Sequence, residues 1–191
     1  MRKSRGSLFW HRILKIRFPH FPTRATSGSV GKDSSTYRTR RGSPRVGRAD
    51  VLLEYGAEAG RDLTELWRRM VFNIMVSNVD DHLRNHGFLH DGRNGWRLSP
   101  VYDLEPTPAQ VKPRILHTRI DFHDGTASLE AAYAVAGEFG LNAKEAAKIA
   151  QEVGDATRNW DREASRFGAE KEEIEFMRSA FEHRDLRDAL G

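Results

Sequence analysis

Hydrophobic residues recur at helical spacing over one long stretch in the first half of the chain. Seven of them fall at i, i+3, i+4, i+7, i+8, i+11 and i+12: Leu63, Leu66, Trp67, Met70, Val71, Ile74 and Met75. This is the spacing of a single buried helical face. The pattern predicts a central helix over residues 62–77, with Asp62 as its N-cap and with Arg61, Arg68 and Arg69 on its solvent side.

Two short apolar segments, residues 87–90 and 96–98, follow the predicted helix. The five residues between them contain glycine, which is typical of a β-hairpin connection. A hairpin returns the chain to the point where it began. Asp103, which follows the second segment, is therefore expected to face Asn85, while Trp96 and Tyr102 are expected to be core residues.

The rest of the sequence has helical patterns. An alanine-rich helix is predicted over residues 128–139 and ends at Gly140. Asn142 and Glu145 have the spacing of a capping box, and the buried face of the long helix that follows is expected to run from Ala146 to Trp160. A further helix is predicted over residues 170–182. We therefore expect a mainly α fold with one short β-hairpin, in a domain that spans residues 51–191.

Charge is distributed unevenly along the chain. The net charge of +4 is the sum of +11 in residues 1–50 and −7 in residues 51–191. Residues 23–48 are rich in Ser, Gly, Thr and Arg, which indicates loop or disorder. Residues 1–50 are therefore predicted to be a disordered or truncated basic segment, although a basic arm can also bind nucleic acid. A phosphate loop at residues 28–32 is rejected, since Asp33 stands where that motif needs Ser or Thr.

Several classes of protein are excluded by composition. The chain has no cysteine, so it has neither a disulfide framework nor a thiolate metal site. It has no run of about 18 apolar residues that could span a membrane. Residues 8–21 are apolar and basic, but they lack the apolar core and cleavage site of a signal peptide. We expect a cytoplasmic protein.

Candidate chemistry is concentrated between the central helix and the hairpin. Asp80 is followed five residues later by Asn85, and Asp103 comes after the hairpin. Phosphotransferases of the protein-kinase type use this order for a catalytic Asp and two metal ligands. Asp80 is therefore predicted to accept the proton of the substrate hydroxyl, and Asn85 and Asp103 to hold Mg²⁺. His82 is predicted to steady the transferred phosphoryl group, and Asp81 is expected to face solvent.

Other interpretations of these residues exist. Asp and Asn in a loop after a helix commonly form turn hydrogen bonds, and an isolated D-x-x-x-x-N pattern has little specificity. Asp81 and His82 could belong to a hydrolase metal site, but no second histidine cluster has the required spacing. The combination of helix, D-D-H-x-x-N, hairpin and Y-D favours phosphoryl transfer.

The segments SNVDDHLRNHGFL and WRLSPVYDL resemble the catalytic region of HipA-type serine/threonine kinases. These kinases are the toxin components of bacterial toxin–antitoxin pairs, and the resemblance extends over roughly residues 57–190. It implies a kinase-like large lobe in which Asp80 is the catalytic base, His82 belongs to the catalytic loop, and Asn85 and Asp103 bind the Mg²⁺ of ATP. The motif at Asp103 is Y-D-L, where eukaryotic kinases have D-F-G.

The resemblance also implies what this sequence lacks. Complete family members have an N-terminal small lobe with a phosphate-covering loop and a nucleotide-binding lysine, and residues 1–50 contain neither. The expected function is ATP-dependent phosphoryl transfer to a protein Ser or Thr, by a fragment with reduced or no activity. Expected partners are a protein substrate, an antitoxin, and DNA reached through the antitoxin or the basic arm. The alternative is a non-catalytic binding module, either a truncated toxin that meets an antitoxin or a basic-armed nucleic-acid binder.

Overall fold

The computed structural model describes residues 44–92, 95–120 and 125–191. The α-helices in these ranges are α1 (Pro44–Tyr55), α2 (Ala59–Met75), α3 (Leu129–Ala134), α4 (Ala143–Thr157), α5 (Trp160–Arg166), α6 (Lys171–Phe181) and α7 (Arg184–Leu190). Short 3₁₀ turns occupy Leu83–Asn85 and Ala136–Phe139, and strands β1 (Phe88–His90) and β2 (Trp96–Leu98) form an antiparallel hairpin. The prediction of a mainly α fold with one short hairpin is confirmed.

Helix α2 is the central element of the core. All seven residues of its apolar face are buried, and Leu66, Met70 and Ile74 are at most 1% exposed. The helix contacts α1, α3, α4 and α7. Burial of each large side chain of this face contributes roughly 1.5–3 kcal/mol, so α2 organises the helices around it, as the spacing predicts.

The first turn of α2 differs from its prediction. The helix begins at Ala59 with Glu58 as its N-cap residue, so the prediction that Asp62 caps it is wrong. Asp62 is buried, and its carboxylate accepts hydrogen bonds from Arg97 Nε at 3.0 Å and from the backbone N–H of Leu98 at 2.9 Å. Its partners come from β2, far along the chain, and Asp62 thereby attaches the hairpin to the helix.

Arg69 was expected on the solvent side of α2, and that prediction is wrong. The residue is 2% exposed, pairs with Glu65 at 2.8 Å, and donates from Nη2 to the carbonyl of Ser99 at 2.8 Å. A buried charge is tolerated when it is paired and hydrogen-bonded. Burial raises the pKa of Glu65, and the nearby Arg69 opposes that rise.

The hairpin pairs Phe88 with Leu98, Leu89 with Arg97 and His90 with Trp96. Within its connection, residues 93–94 lie outside the described ranges. Gly95 has φ 108°, and a Cβ there would lie 2.5 Å from the carbonyl oxygen of Tyr55, so the close approach to α1 requires glycine.

Trp96 and Tyr102 are each 39% exposed, so the prediction that they are core residues is wrong. The ring of Trp96 packs edge-on against His90, with centroids 5.1 Å apart. Trp96 lies at the turn end of β2, on the same face as the buried Leu98, and Tyr102 lies beyond the end of the strand.

The C-terminal helices begin close to the predicted residues, but the alanine-rich helix α3 already ends at Ala134 and the 3₁₀ turn Ala136–Phe139 continues the chain to Gly140. Gly140 closes the second 3₁₀ turn with φ 72°, and Asn142 and Glu145 form a complete capping box on α4. The predicted long helix is divided, however, because α4 ends at Thr157 and Trp160 begins α5. Trp160 is buried and stacks on Phe181 of α6 with ring centroids 4.4 Å apart.

Predictions that concern residues 1–43 lie outside the described ranges. Helix α1 starts at Pro44, so the prediction of loop or disorder over residues 23–48 is wrong for residues 44–48, while the domain boundary at residue 50 stays a prediction. Within the described ranges, no helix combines the length and apolar character that crossing a membrane requires.

The C-terminal end of α2 is held by side chains from distant segments. Arg114 donates from Nη2 to the carbonyl of Ile74 at 3.0 Å and pairs through Nη1 with Asp185 at 2.8 Å. Ser77, with φ 51°, donates to the carbonyl of Ala180 at 2.8 Å and accepts from Arg114 Nε at 3.0 Å. These contacts fix the direction in which the chain leaves the central helix.

His183 belongs to the same cluster, since its Nε2 lies 3.1 Å from the carbonyl of Met75 and donates to it. Burial, followed by the positive charge of Arg114, lowers the pKa of His183 to about 4. In the unfolded chain the imidazole has its ordinary pKa of about 6.5. The unfolded state therefore binds a proton that the folded state does not, between about pH 6.5 and pH 4, and stability is lost as the pH falls through this window.

Replacing His183 should reduce this pH dependence. Between pH 7 and pH 4, the free energy of unfolding of the wild type should fall by about 2–3 kcal/mol more than that of His183→Gln. Urea unfolding followed by circular dichroism at several pH values measures the difference. His90→Gln, at an exposed histidine, serves as the control and should keep the wild-type slope. Parallel pH profiles for the wild type and His183→Gln would contradict the assignment.

Candidate functional site

The candidate site lies on the loop that leaves α2, residues 76–86. Asn78 fixes its beginning, donating from its backbone N–H to the carbonyl of Asn73 at 2.8 Å and from Nδ2 to Asn73 Oδ1 at 3.0 Å. Both asparagines are buried. Because Asn73 lies on the rigid central helix, the loop starts from a defined position.

Two contacts, each between residues five apart, close the loop. Asn85 Nδ2 donates to the carbonyl of Asp80 at 3.4 Å, and His86 Nε2 lies 2.7 Å from Asp81 Oδ1. The side chains of Asp81 and His86 are 4% and 3% exposed. The prediction that Asp81 faces solvent is therefore wrong, because His86 provides a buried partner. The buried contact between Asp81 and His86 thus lies next to the contact between Asp80 and Asn85, which are predicted to take part in catalysis, and it sets the width of the loop.

Asp80 is held by its backbone and presents its side chain to solvent. Its carbonyl also accepts from the N–H of His82 at 2.8 Å, while its carboxylate side chain is 60% exposed. The Nζ atom of Lys112 lies 3.8 Å from Asp80 Oδ1. This arrangement leaves the carboxylate accessible to a hydroxyl group that approaches from outside. Sequence reasoning missed Lys112, since no local pattern connects it with Asp80.

Asn85 and Asp103 differ in their surroundings. Asn85 is 7% exposed, and because Nδ2 is engaged, Oδ1 is the atom it can offer as a ligand. Asp103 is exposed and has φ 55°, a left-handed conformation that Asp tolerates better than most residues. The predicted convergence of Asp80, Asn85 and Asp103 into one metal site stays a prediction.

Tyr102 connects the segment that carries Asp103 with the loop. Its hydroxyl donates to the carbonyl of Arg84 at 2.6 Å, next to Asn85 in the chain. Burial, and then the charge of Asp103, raise the pKa of the Tyr102 hydroxyl, which keeps it protonated as a donor. The hairpin therefore does return the chain to the loop, although through a tyrosine contact that the sequence pattern did not indicate.

The donor set fits a magnesium–nucleotide complex better than an all-protein metal site. Within the described ranges, no three or more His, Asp or Glu side chains are grouped so that they could hold a metal ion. Mg²⁺ usually takes one or two carboxylates and completes its shell with water and substrate phosphates. Asn85 and Asp103 supply two hard oxygen donors of that kind.

His82 faces the connector between the hairpin and α3. Its ring lies 5.9 Å from that of His117 at 79°, and its Nδ1 is buried without a hydrogen-bond partner among the described residues. The connector reaches the loop through two further bonds, from the N–H of His117 to the carbonyl of Val79 at 2.8 Å and from Thr118 Oγ1 to the carbonyl of Asp81 at 2.6 Å. The side chain of His82 thus extends from the loop to the connector.

Comparison with known proteins gives three findings. A family model of the HipA-like C-terminal domain matches residues 27–160. The putative kinase Y4dM of Sinorhizobium fredii (strain NBRC 101917 / NGR234) is 41% identical over 46 residues, which are 24% of this chain and 11% of that protein. The HipA, HipB and operator DNA complex of the toxin–antitoxin system of Shewanella oneidensis MR-1 contains a chain with the same fold, with a TM-score of 0.64 and 14% identity.

The matched regions differ greatly in extent. The alignment to the Shewanella structure covers 99% of this chain and 56% of the other, so this chain spans about half the length of that relative. At 14% identity the likeness concerns the fold alone.

The buried pair in the loop should contribute measurable stability. A double-mutant cycle with Asp81→Ala and His86→Ala should give a coupling energy of about 1–3 kcal/mol, because both groups are withdrawn from water and in direct contact. Urea denaturation of the four proteins measures it.

The exposed pair Asp155 and Arg158, 3.2 Å apart, serves as the control for the cycle. Its coupling energy should be below about 1 kcal/mol. A coupling between Asp81 and His86 no larger than that of the control pair would show that the loop does not depend on their contact.

Proposed function

Because this chain belongs to the HipA-like C-terminal domain family, we propose that it is the large lobe of an ATP-dependent protein serine/threonine kinase. The observation that carries the proposal is the geometry of Asp80. Its backbone is fixed by His82 and Asn85, its carboxylate is exposed, and a lysine ammonium group lies 3.8 Å away. Such a carboxylate can orient a serine or threonine hydroxyl and accept its proton.

Lys112 has a defined part in this proposal. Its ammonium group lies 3.8 Å from Asp80 Oδ1, where it can help to orient the carboxylate toward an incoming hydroxyl. Lys112 also comes from the connector, so its position depends on the bonds that attach the connector to the loop. It holds Asp80 from the solvent side without covering it.

Asn85 and Asp103 would hold the Mg²⁺ that accompanies ATP. When bound, the metal neutralises the charge of the phosphates. The carboxamide of Asn85 is oriented by its bond to Asp80, and the segment of Asp103 is oriented by the bond from Tyr102 to Arg84. These residues position the two donors from opposite ends of the hairpin.

We propose that this chain alone transfers phosphate slowly. The sequence of residues 1–50 has no recognisable pattern for the lysine and the phosphate-covering loop that kinases use to hold nucleotide phosphates, and removal of a single preorganised electrostatic group can cost about 10²–10³ in rate. Here the lysine and the loop are both concerned, so the expected loss of rate is larger than for a single group.

The proposed partners are a protein substrate and an antitoxin, with DNA reached through the antitoxin or through the basic arm. The Shewanella relative was solved with HipB and operator DNA. A partner-binding role without catalysis is the second candidate. It is favoured by the exposed apolar side chains of Leu53, Tyr55 and Trp96, which are 62%, 42% and 39% exposed near the junction of α1 with the hairpin.

Metal binding tests the site directly. In the presence of ATP, Mn²⁺ as a paramagnetic substitute for Mg²⁺ should broaden the NMR signals of Asn85 and Asp103. Asp103→Asn should weaken the effect roughly tenfold or more, because it removes a charged ligand. Asp161→Asn, at an exposed aspartate of α5, should leave it unchanged. Uniform broadening over the whole surface would count against a nucleotide–metal site.

Phosphoryl transfer by the same samples then tests whether the isolated lobe is slow. With radiolabelled ATP and Mg²⁺, turnover should lie far below the roughly 1–100 s⁻¹ typical of kinases, and Asp80→Asn should change it little. Rapid transfer that Asp80→Asn abolishes would overturn the proposal of a slow isolated lobe. Failure to bind metal with nucleotide would favour the non-catalytic role.

A further inference from the structure

A cavity lies beside Asp80, where the loop meets the connector. It has a volume of about 360 Å³ and is lined by His82, Leu83, Arg84, His117 and Thr118. This volume is at the low end of the roughly 300–1,000 Å³ of small-molecule pockets. It suits one side chain or one small ionic group better than a nucleotide.

The lining is rich in hydrogen-bond donors and contains no carboxylate. Arg84 carries a permanent positive charge with several N–H donors, and it forms no ion pair with any carboxylate of the described residues. The imidazoles of His82 and His117 stand edge to face at 5.9 Å, and the buried Nδ1 of His82 has no hydrogen-bond partner in the described ranges. The cavity therefore offers a guanidinium charge that no carboxylate of the described residues neutralises.

Its walls have fixed positions. Thr118 is 3% exposed and bonds to the carbonyl of Asp81, and the N–H of His117 bonds to the carbonyl of Val79. The loop side is fixed by the pair of Asp81 with His86 at 2.7 Å. A ligand would therefore meet a preformed site, which lowers the entropic cost of binding.

A transition-metal site is the less suitable interpretation. Two imidazoles alone give an incomplete ligand set, and no third His, Asp or Glu completes one within the described ranges. The guanidinium of Arg84 would also repel a cation. An anion fits both the pair of imidazoles and the guanidinium group of Arg84, since Arg binds phosphate and carboxylate through paired hydrogen bonds.

We infer that this cavity binds an anionic group, a phosphate or a carboxylate, on the polypeptide whose hydroxyl meets Asp80. His82 follows Asp80 by two residues and donates its backbone N–H to the Asp80 carbonyl, so the wall of the cavity is attached directly to the residue that carries the proposed proton acceptor. Leu83 is 54% exposed at the rim and can contact the aliphatic part of the same side chain. The assignment to a substrate chain rests on the proposed kinase function, whereas the anion site does not.

Binding of inorganic phosphate to the full chain tests the site without any need for turnover. Imidazole signals of His82 and His117 in ¹H–¹³C spectra should shift on titration with phosphate at constant pH and ionic strength. Arg84→Gln should weaken binding roughly tenfold, the loss expected for one charge-assisted hydrogen bond. Arg162→Gln, an exposed arginine of α5, is the matched control and should bind like the wild type. Circular dichroism checks that each variant is folded.

Peptides distinguish the source of the anion. Three serine peptides that differ only in the neighbouring residue, Glu, phosphoserine or Gln, are titrated in the same way. The two anionic peptides should compete with phosphate for the His82 and His117 shifts, and the Gln peptide should not. Equal competition by all three would overturn the assignment to an acidic substrate chain.

Other results would also overturn the proposed anion site. Phosphate shifts that persist in Arg84→Gln, or that spread over histidines away from the cavity, would overturn the site. So would saturable binding of Zn²⁺ at His82 and His117 without phosphate binding. Because these readings are independent of phosphoryl transfer, an inactive chain that still binds phosphate separates this inference from the proposed function.

Discussion

The arrangement of the candidate site depends on how the C-terminal end of α2 is terminated. The last carbonyl groups of a helix have no partner within the helix. Here Arg114 binds the carbonyl of Ile74 and His183 binds that of Met75, while Ser77 turns the chain in a left-handed conformation and is bonded on both sides. Since α2 is the most buried helix, this termination transfers the rigidity of the core to the loop that follows.

Within that loop, the side chains of two neighbouring aspartates point in opposite directions. Asp81 is directed inward to His86, and Asp80 is directed outward to solvent and Lys112. The buried contact resists distortion because separating its members would leave polar groups unpaired in a dry environment. The exposed carboxylate is thereby held in place by its backbone and stays free to interact with another molecule. Asp81 thus makes the loop rigid, while the adjacent Asp80 keeps its carboxylate accessible.

Local patterns were sufficient for the elements and the order of the candidate residues. The spacing of apolar residues predicted α2 and its buried face, and turn chemistry predicted the hairpin, Gly140 and the capping box at Asn142. The failures concern side chains whose partners are distant in sequence. Asp62 bonds to β2, Arg69 bonds to Ser99, and Lys112 approaches Asp80, and hydrophobic periodicity records none of these contacts. The prediction for Asp81 fails for a different reason, because the five-residue spacing from Asp81 to His86 repeats that from Asp80 to Asn85, and the spacing alone does not indicate which of the two pairs is buried.

The bonds from Ser77 to the carbonyl of Ala180 and from His183 to the carbonyl of Met75 also have a consequence for the order of events during synthesis. Their partners are separated by roughly a hundred residues, which a ribosome adds in about 5–20 s. While the chain is being made, the central helix can gather its apolar neighbours, but the start of the loop that carries Asp80 lacks these two bonds until α6 and the start of α7 have emerged. The proposed catalytic geometry is therefore completed only after roughly a hundred further residues have been added to the loop.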